Sequence, residues 1–188
     1  MQIITAPMAG ITDYSFRKIL YEFSPDIIFT EMVDVNALKY SNQRTQDVIL
    51  RKAGNEAVQI FGNKNEDFLE AVKLLIERGF DHIDINLGCP VKKIIRAGKG
   101  SALLLESDFV KELLLKLKKE FRNDIKLSMK IRTGYKNFSD PEYYVKLAEE
   151  YGLFQICIHG RTQEQLYSGQ ADWDIIKKMK QKHKNVKI

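Results

Sequence analysis

Asp84-Ile85-Asn86-Leu87-Gly88-Cys89-Pro90 is the stretch from which the rest of the chain becomes readable. The apolar-rich run 80–87 breaks off at Gly88, and a thiol follows directly, with a proline behind it. Glycine permits a turn that other residues resist, while Pro90 fixes its own φ and biases Cys89 away from helix. The pattern predicts a cysteine at the end of a buried strand, facing whatever cleft the strand ends define. That is a position for chemistry more than for packing.

Similar short apolar runs recur along the chain, at 2–6, 27–30, 57–61, 82–86, 126–131 and 154–158, and each reads as a strand. Helical patterns lie between them. The first covers 13–23. The second, 66–78, places Phe68, Leu69, Val72, Leu75 and Ile76 on one face, with Asn63 or Asn65 as cap and Gly79 as stop. Ser107 is expected to cap a third helix that carries Val110, Leu113, Leu114, Leu117 and Phe121. A fourth runs 141–151 between Asp140 and Gly152, and a fifth runs 173–182. The segment 34–50 is less regular and reads as a helix with loops.

Repeated βα units with buried strands predict a parallel sheet with helices outside it. A TIM (β/α)8 barrel typically needs ~250 residues. The 188 residues here hold about six such units, and Val186-Lys187-Ile188 reads as the opening of a seventh strand. The expectation is therefore an incomplete barrel, one domain over 1–188, truncated before strand seven. A doubly wound open sheet is the competing architecture. It is disfavoured because no Gly-rich dinucleotide turn follows the first strand.

The charge of +5 comes from one place. Residues 177–188 carry six lysines and no acid, and without them 24 basic residues face 25 acidic ones. Global basicity is thus weak evidence for a nucleic-acid partner. The cluster Lys92, Lys93, Arg96 and Lys99 weighs more, because it follows Cys89. Cys89 and Cys157 are the two cysteines, with no disulfide framework and no metal-binding spacing, so a reducing cytoplasm is expected and no metal. Cys157, between Ile156 and Ile158, is expected in the core. No charge-free run approaches the ~18 residues of a membrane span.

In a parallel barrel, functional residues gather at the C-terminal ends of strands. Those ends carry Pro7-Met8-Ala9-Gly10, Thr30-Glu31-Met32, Gln59 with Gly62, Asn86 with Cys89, Lys130 with Arg132, and His159-Gly160-Arg161. Amides donate to and accept from the edge of a heterocycle, and a lysine stabilises negative charge on a reduced ring. Plainer readings stand beside these. Gln59 is equally a satisfied core amide, and His159 a core histidine bound to backbone. Lys130 in an apolar strand resists such a reading, since lysine is seldom buried unpaired. Met8 and Met32 belong to core or cleft wall, packing accounts for Asp172-Trp173, and Tyr167 either stacks or packs.

These strand ends together resemble the tRNA-dihydrouridine synthase family. The matching stretches are Ala6–Asp13 in sequence APMAGITD, then Phe29-Thr30-Glu31-Met32-Val33, Val58–Gly62, 83–93, 98–104, Met129–Gly134, His159–Thr162 and Tyr167–Trp173, in register over the whole chain. The resemblance implies an FMN enzyme that uses NADPH or NADH to reduce the C5–C6 double bond of uridine in tRNA. It implies Cys89 as the general acid, with Pro7, Met8, Ala9, Gln59, Lys130 and His159 contacting the flavin. Asn86, Lys92, Lys93, Arg132 and Arg161 are implied to meet the substrate nucleotide or RNA. A base must leave its stack to reach such a site, so cations for phosphate are expected around it.

The family's barrels continue through strands seven and eight, whose loops hold the FMN phosphate, and then into a helical tRNA-gripping domain. Neither is expected in 1–188. The full-length protein is expected to be monomeric. Two alternatives remain: another FMN barrel oxidoreductase acting on a small molecule, such as a dihydroorotate dehydrogenase, and a non-catalytic tRNA-binding fragment.

Overall fold

Five of the apolar runs pair side by side because their backbones can satisfy one another only in a ladder. In the computed structural model, which describes residues 2–40, 45, 50–122, 124–136 and 140–188, they are β1 (Ile28–Asp34), β2 (Glu56–Phe61), β3 (His82–Leu87), β4 (Lys126–Arg132) and β5 (Gln155–His159). Neighbours in the sheet follow chain order, β1-β2-β3-β4-β5. A doubly wound sheet would reverse at a switch point; unbroken order is the barrel's pattern. The fold is α/β with a five-stranded sheet, part of a TIM-type barrel.

The first expected strand, 2–6, is reduced to one parallel bridge, Ile4 to Ile27. The ladder stops there for a local reason. The Phe29 N–H donates to the Thr5 hydroxyl at 3.2 Å, and Pro7 has no N–H with which to continue.

The chain divides into two compact units, Met1–Asp84 and Ile85–Ile188. In the first, Asp13 caps α1 (Tyr14–Leu20) by accepting the Phe16 N–H at 2.9 Å. The expected helix to residue 23 ends as a 3-10 turn, Tyr21–Phe23, closed by Ser24 at φ 48°. Strand β1 pairs in parallel with β2 across a register irregularity between Phe29 and Met32. Within the segment 34–50, α2 (Val35–Lys39) begins at once under an Asp34 cap; positions 41–44 and 46–49 lie outside the described residues. Helix α3 (Asn65–Glu77) buries Phe68, Val72 and Leu75 of the expected face, with Ala71 beside them, while Leu69 and Ile76 are half-buried. Its N-cap falls on Lys64, not on Asn63 or Asn65, while Gly79 (φ 79°) stops it as expected.

The second unit holds α4 (Lys92–Arg96), a 3-10 turn at Gly100–Leu105, α5 (Ser107–Glu120), α6 (Glu142–Glu150) and α7 (Trp173–Lys182). Ser107 is the first residue of α5, and Glu106 occupies the N-cap without a side-chain bond. The apolar face of α5 is as expected: Val110, Leu113, Leu114 and Leu117 are fully buried. Each contributes roughly 1.5–3 kcal/mol by leaving water. Asp172 caps α7 through the Ile175 N–H at 2.9 Å, but Trp173 beside it is exposed rather than packed.

Strands β4 and β5 pair in parallel, with Ser128 opposite Gln155, Lys130 opposite Cys157 and Arg132 opposite His159. Alternation puts these six side chains on one face, and Leu127, Met129, Ile131, Ile156 and Ile158 on the other. The second set is buried. Cys157 therefore leaves the core in which it was expected: it lies on the polar face beside Lys130 and is exposed. Past α7, the Ile156 N–H donates to the Lys187 carbonyl at 2.9 Å, one bond of the expected next pairing.

Candidate functional site

The turn after β3 is fastened on both sides of Cys89. The Asn86 Oδ1 accepts the Gly88 N–H at 3.0 Å and the Cys89 N–H at 2.9 Å. This is the local turn that an asparagine side chain favours, and it explains why the strand ends there. On the far side, the Cys89 carbonyl accepts two bonds from Ser101, from its N–H at 3.1 Å and from its hydroxyl at 2.8 Å. Gly100 permits this approach: its φ is 62°, and a Cβ there would stand 3.0 Å from both the Cβ and the carbonyl oxygen of Cys89. One peptide earlier, the Gly88 carbonyl accepts from Arg132 Nε at 2.8 Å.

The cysteine so held is 8% exposed. Burial pushes it above its ordinary pKa, against smaller opposite pulls from the Val91 N–H and the Arg132 charge. At neutral pH it is a protonated donor, and a weak nucleophile.

Arg132 ends β4 and is 2% exposed. Besides Gly88 it donates from Nη1 to the carbonyls of Thr162 and Leu166, each at 2.8 Å. Its planar fork ties the turn after β3 to the loop after β5. That loop carries Leu166 at φ 51° and an exposed Tyr167, whose ring centre lies 5.5 Å from the Arg132 guanidinium carbon and 6.2 Å from the His159 ring.

Arg161 clasps the same loop, donating to the carbonyls of Ser168 at 3.1 Å and Gly169 at 2.8 Å. Its Nη1 also lies 3.2 Å from His159 Nε2. A guanidinium only donates, so Nε2 accepts and the proton of the neutral ring is on Nδ1. Burial, then the charges of Arg132, Lys130 and Arg161, push the His159 pKa down to about 4. At neutral pH the ring is uncharged among three cations. Gly160 brings the chain back against the cap of α7: its carbonyl accepts the Asp172 N–H at 2.6 Å, and a Cβ would stand 2.7 Å from the Asp172 oxygen.

In the first unit, the turn Pro7-Met8-Ala9-Gly10 is tied down by Thr12, whose hydroxyl accepts the Met8 N–H at 3.0 Å. Glu31 accepts the Gly10 N–H at 2.5 Å. Gln59 is 1% exposed and donates to Asp84 Oδ2 at 2.7 Å. The same unit holds a pair that pattern reading missed. Arg17 and Glu56, both without exposed side-chain surface, meet at 2.7 Å. Arg17 further donates to the carbonyls of Thr12 and Arg51.

Of the cationic cluster, Lys92, Lys93 and Arg96 are exposed on α4, but Lys99 is buried at 7% and leaves the expected rim. A cavity of about 660 Å³ opens past β4 between Arg132, Tyr135, Leu105 and Tyr143, but Cys89, Lys130 and His159 are not in its wall. Among the described residues no helix is long and apolar enough to cross a membrane, and no group of three or more His, Cys, Asp or Glu side chains suits a metal ion.

The structure thus brings Cys89, Asn86 and Arg132 together, with His159 and Arg161 linked to them through the loop after β5. Ser101 and Gly100 were missed as site residues. Their only signal was a glycine-bounded stretch, 98–104, soon after the cysteine.

Comparison with known proteins identifies the family. The dihydrouridine synthase (Dus) family model matches residues 4–188. The chain is similar to tRNA-dihydrouridine synthase B of Escherichia coli strain K12, 38% identical over 184 residues, 96% of this chain and 57% of the relative. The Pasteurella multocida protein of the same name is 37% identical over 183 residues, 96% of this chain and 54% of the relative. That of Klebsiella pneumoniae is 38% identical over 188 residues, 96% and 57%. The chain therefore spans little more than half the length of the curated relatives it matches.

Proposed function

The chain belongs to the dihydrouridine synthase family, and on that premise we propose that the protein reduces the C5–C6 double bond of uridine in tRNA in the cytoplasm, with Cys89 as proton donor. The observation that carries the reading is the buried, protonated thiol at the end of β3, held by Asn86 and Ser101. A reduction that adds two hydrogens from different sources needs such a donor, and a thiol with a raised pKa keeps its proton until the base demands it.

The donor set suits FMN. Lys130 on a polar strand face offers a cation, and the uncharged His159 ring hydrogen-bonds without adding charge. We propose Pro7, Met8, Ala9, Gln59, Lys130 and His159 as the residues that would hold it. Flavin held there would supply the hydride chemistry needed at C6 of the base, with NADPH or NADH as the reductant. Cys89 delivers its proton to C5, and the thiolate left behind is reprotonated from water. Asn86 keeps the donor in register. Arg132 and Arg161 would border the base through the loop they clasp. Lys92 and Lys93, exposed on α4, would meet tRNA phosphates.

The test is reconstitution of the full-length protein with FMN, followed by tRNA lacking dihydrouridine and NADPH. Yellow flavin absorbance, NADPH consumption and dihydrouridine in the tRNA are expected. Flavin binding with reduction of a small molecule and no salt-sensitive tRNA binding would favour a different flavin barrel. Absence of flavin binding with tRNA retained would leave a binding protein only.

A further inference from the structure

Cys89 has no freedom to choose its own position. Its N–H is held by Asn86 and its carbonyl by Ser101, so the peptide planes on both sides of its Cα are fixed. The asparagine bond is local, three residues away, and belongs to the turn itself. The serine bond spans 12 residues and is made from a different element, the 3-10 turn at Gly100–Leu105. Ser101 is fully buried. It gives the same oxygen two donors, which nothing in the turn's own geometry requires. Gly100 before it has the left-handed φ, 62°, that lets the backbone come this close. The residues between, 90–99, carry the exposed cations Lys92, Lys93 and Arg96. The loop that carries those cations is thus closed on itself at the carbonyl of the proton donor.

We propose that Ser101 is a positioning residue for Cys89: its hydroxyl and N–H pin the cysteine carbonyl, fixing where the thiol points and keeping it shielded from water. The proposal rests on the reading of Cys89 as proton donor. Proton transfer depends steeply on donor placement, and a displacement near 1 Å costs on the order of 100-fold. Removing the hydroxyl takes away the shorter of the two bonds to the cysteine carbonyl and leaves only the N–H bond at 3.1 Å.

The experiment uses full-length protein reconstituted with FMN, as Ser101→Ala and as the near-isosteric Ser101→Cys, whose thiol is a weaker donor. Reduction of tRNA uridine should fall in kcat about 10-fold or more for Ser101→Ala and less for Ser101→Cys, with KM for tRNA unchanged within about 2-fold. Independently of turnover, the rate of Cys89 alkylation by iodoacetamide is followed against pH, by mass spectrometry of the Cys89 peptide. With the peptide loosened, water reaches the thiol, so the midpoint moves down toward the ordinary cysteine value and alkylation at pH ~8 becomes faster. A merely structural role would lower the melting temperature and leave that midpoint where it is. Folded variants with wild-type kcat and wild-type midpoint would overturn the proposal; if Ser101→Ala does not fold, Ser101→Cys decides alone. Cys89→Ala separates the two claims: undiminished uridine reduction in it sinks the proton-donor reading, whereas the alkylation midpoint reports on Ser101 in either case.

Discussion

Arg132 Nε donates to the Gly88 carbonyl at 2.8 Å, so the last residue of β4 is fastened one peptide before the thiol. The same guanidinium holds the carbonyls of Thr162 and Leu166. Three carbonyls on two loops share one buried side chain. Lysine brings one ammonium on a flexible stem and cannot serve all three. Arg132→Lys should therefore lower stability by about 2–3 kcal/mol, the cost of leaving buried acceptors unpaired. Urea unfolding of the full-length protein measures this. An unshifted midpoint would mean that water replaces the guanidinium without loss.

The two cysteines should react in opposite order to what their neighbours in sequence suggest. Cys157 is exposed and Cys89 is buried with a raised pKa. Iodoacetamide at pH ~8 should label Cys157 first and Cys89 at least about 10-fold more slowly. The sign for stability follows from the same shift. The unfolded chain releases the Cys89 proton at the ordinary value, the folded chain only above it. This residue's contribution to stability is thus intact below that value and is lost as pH rises through the folded pKa. Peptide mapping after timed labelling gives the order; faster labelling of Cys89 would contradict the buried donor.

His159 should stay neutral through the physiological range. Its pKa lies near 4 because burial and then the Arg132, Lys130 and Arg161 charges oppose a further proton. As pH falls below the ordinary histidine value, the unfolded chain takes up a proton that the folded chain refuses until about 4, so His159 subtracts stability over that window. Replacing Arg161 with Met removes one of the three cations and should move the His159 titration upward, as read by NMR of the ring protons. A midpoint that stays put would show that the Arg161 charge plays no part and leave the shift to burial with the Arg132 and Lys130 charges.

How much of this was legible in the sequence depends on the range of the interaction. The strands and the apolar faces of α3 and α5 were readable because burial writes a period into the chain. The run Ile156-Cys157-Ile158 carried the same period, but a cysteine fits either face. Only its pairing opposite Lys130 reveals which one it takes. The strand end at Cys89 was visible because Gly88 and Pro90 flank it. Its fastening was not: Ser101 is 12 residues away and bonds a carbonyl, a partner with no residue identity to read. Residues 2–6 had a strand's composition and lost the ladder to the Thr5 hydroxyl. Lys99 looked like its exposed neighbours, and the 3-10 turn that follows buries it.

Arg17 and Glu56 show the same limit with the largest energetic consequence. They are 39 residues apart, and both are wholly buried. Neither belongs to a motif. Glu56 also accepts the Ala53 N–H at 3.3 Å, and Arg17 donates to the carbonyls of Thr12 and Arg51, so the pair ties α1 to the start of β2. Removing one charge leaves the other buried and unpaired, which typically costs about 3–5 kcal/mol. Glu56→Gln keeps the shape but not the charge and should approach that loss. Arg17→Met with Glu56→Leu removes both charges and should recover part of it, because the desolvation cost goes with them. Chemical unfolding of Arg17→Met, of Glu56→Leu and of the double variant measures the coupling. A double variant as unstable as the sum of the singles would show that the two side chains act separately, and that the carbonyl bonds of Arg17 matter more than its partner acid.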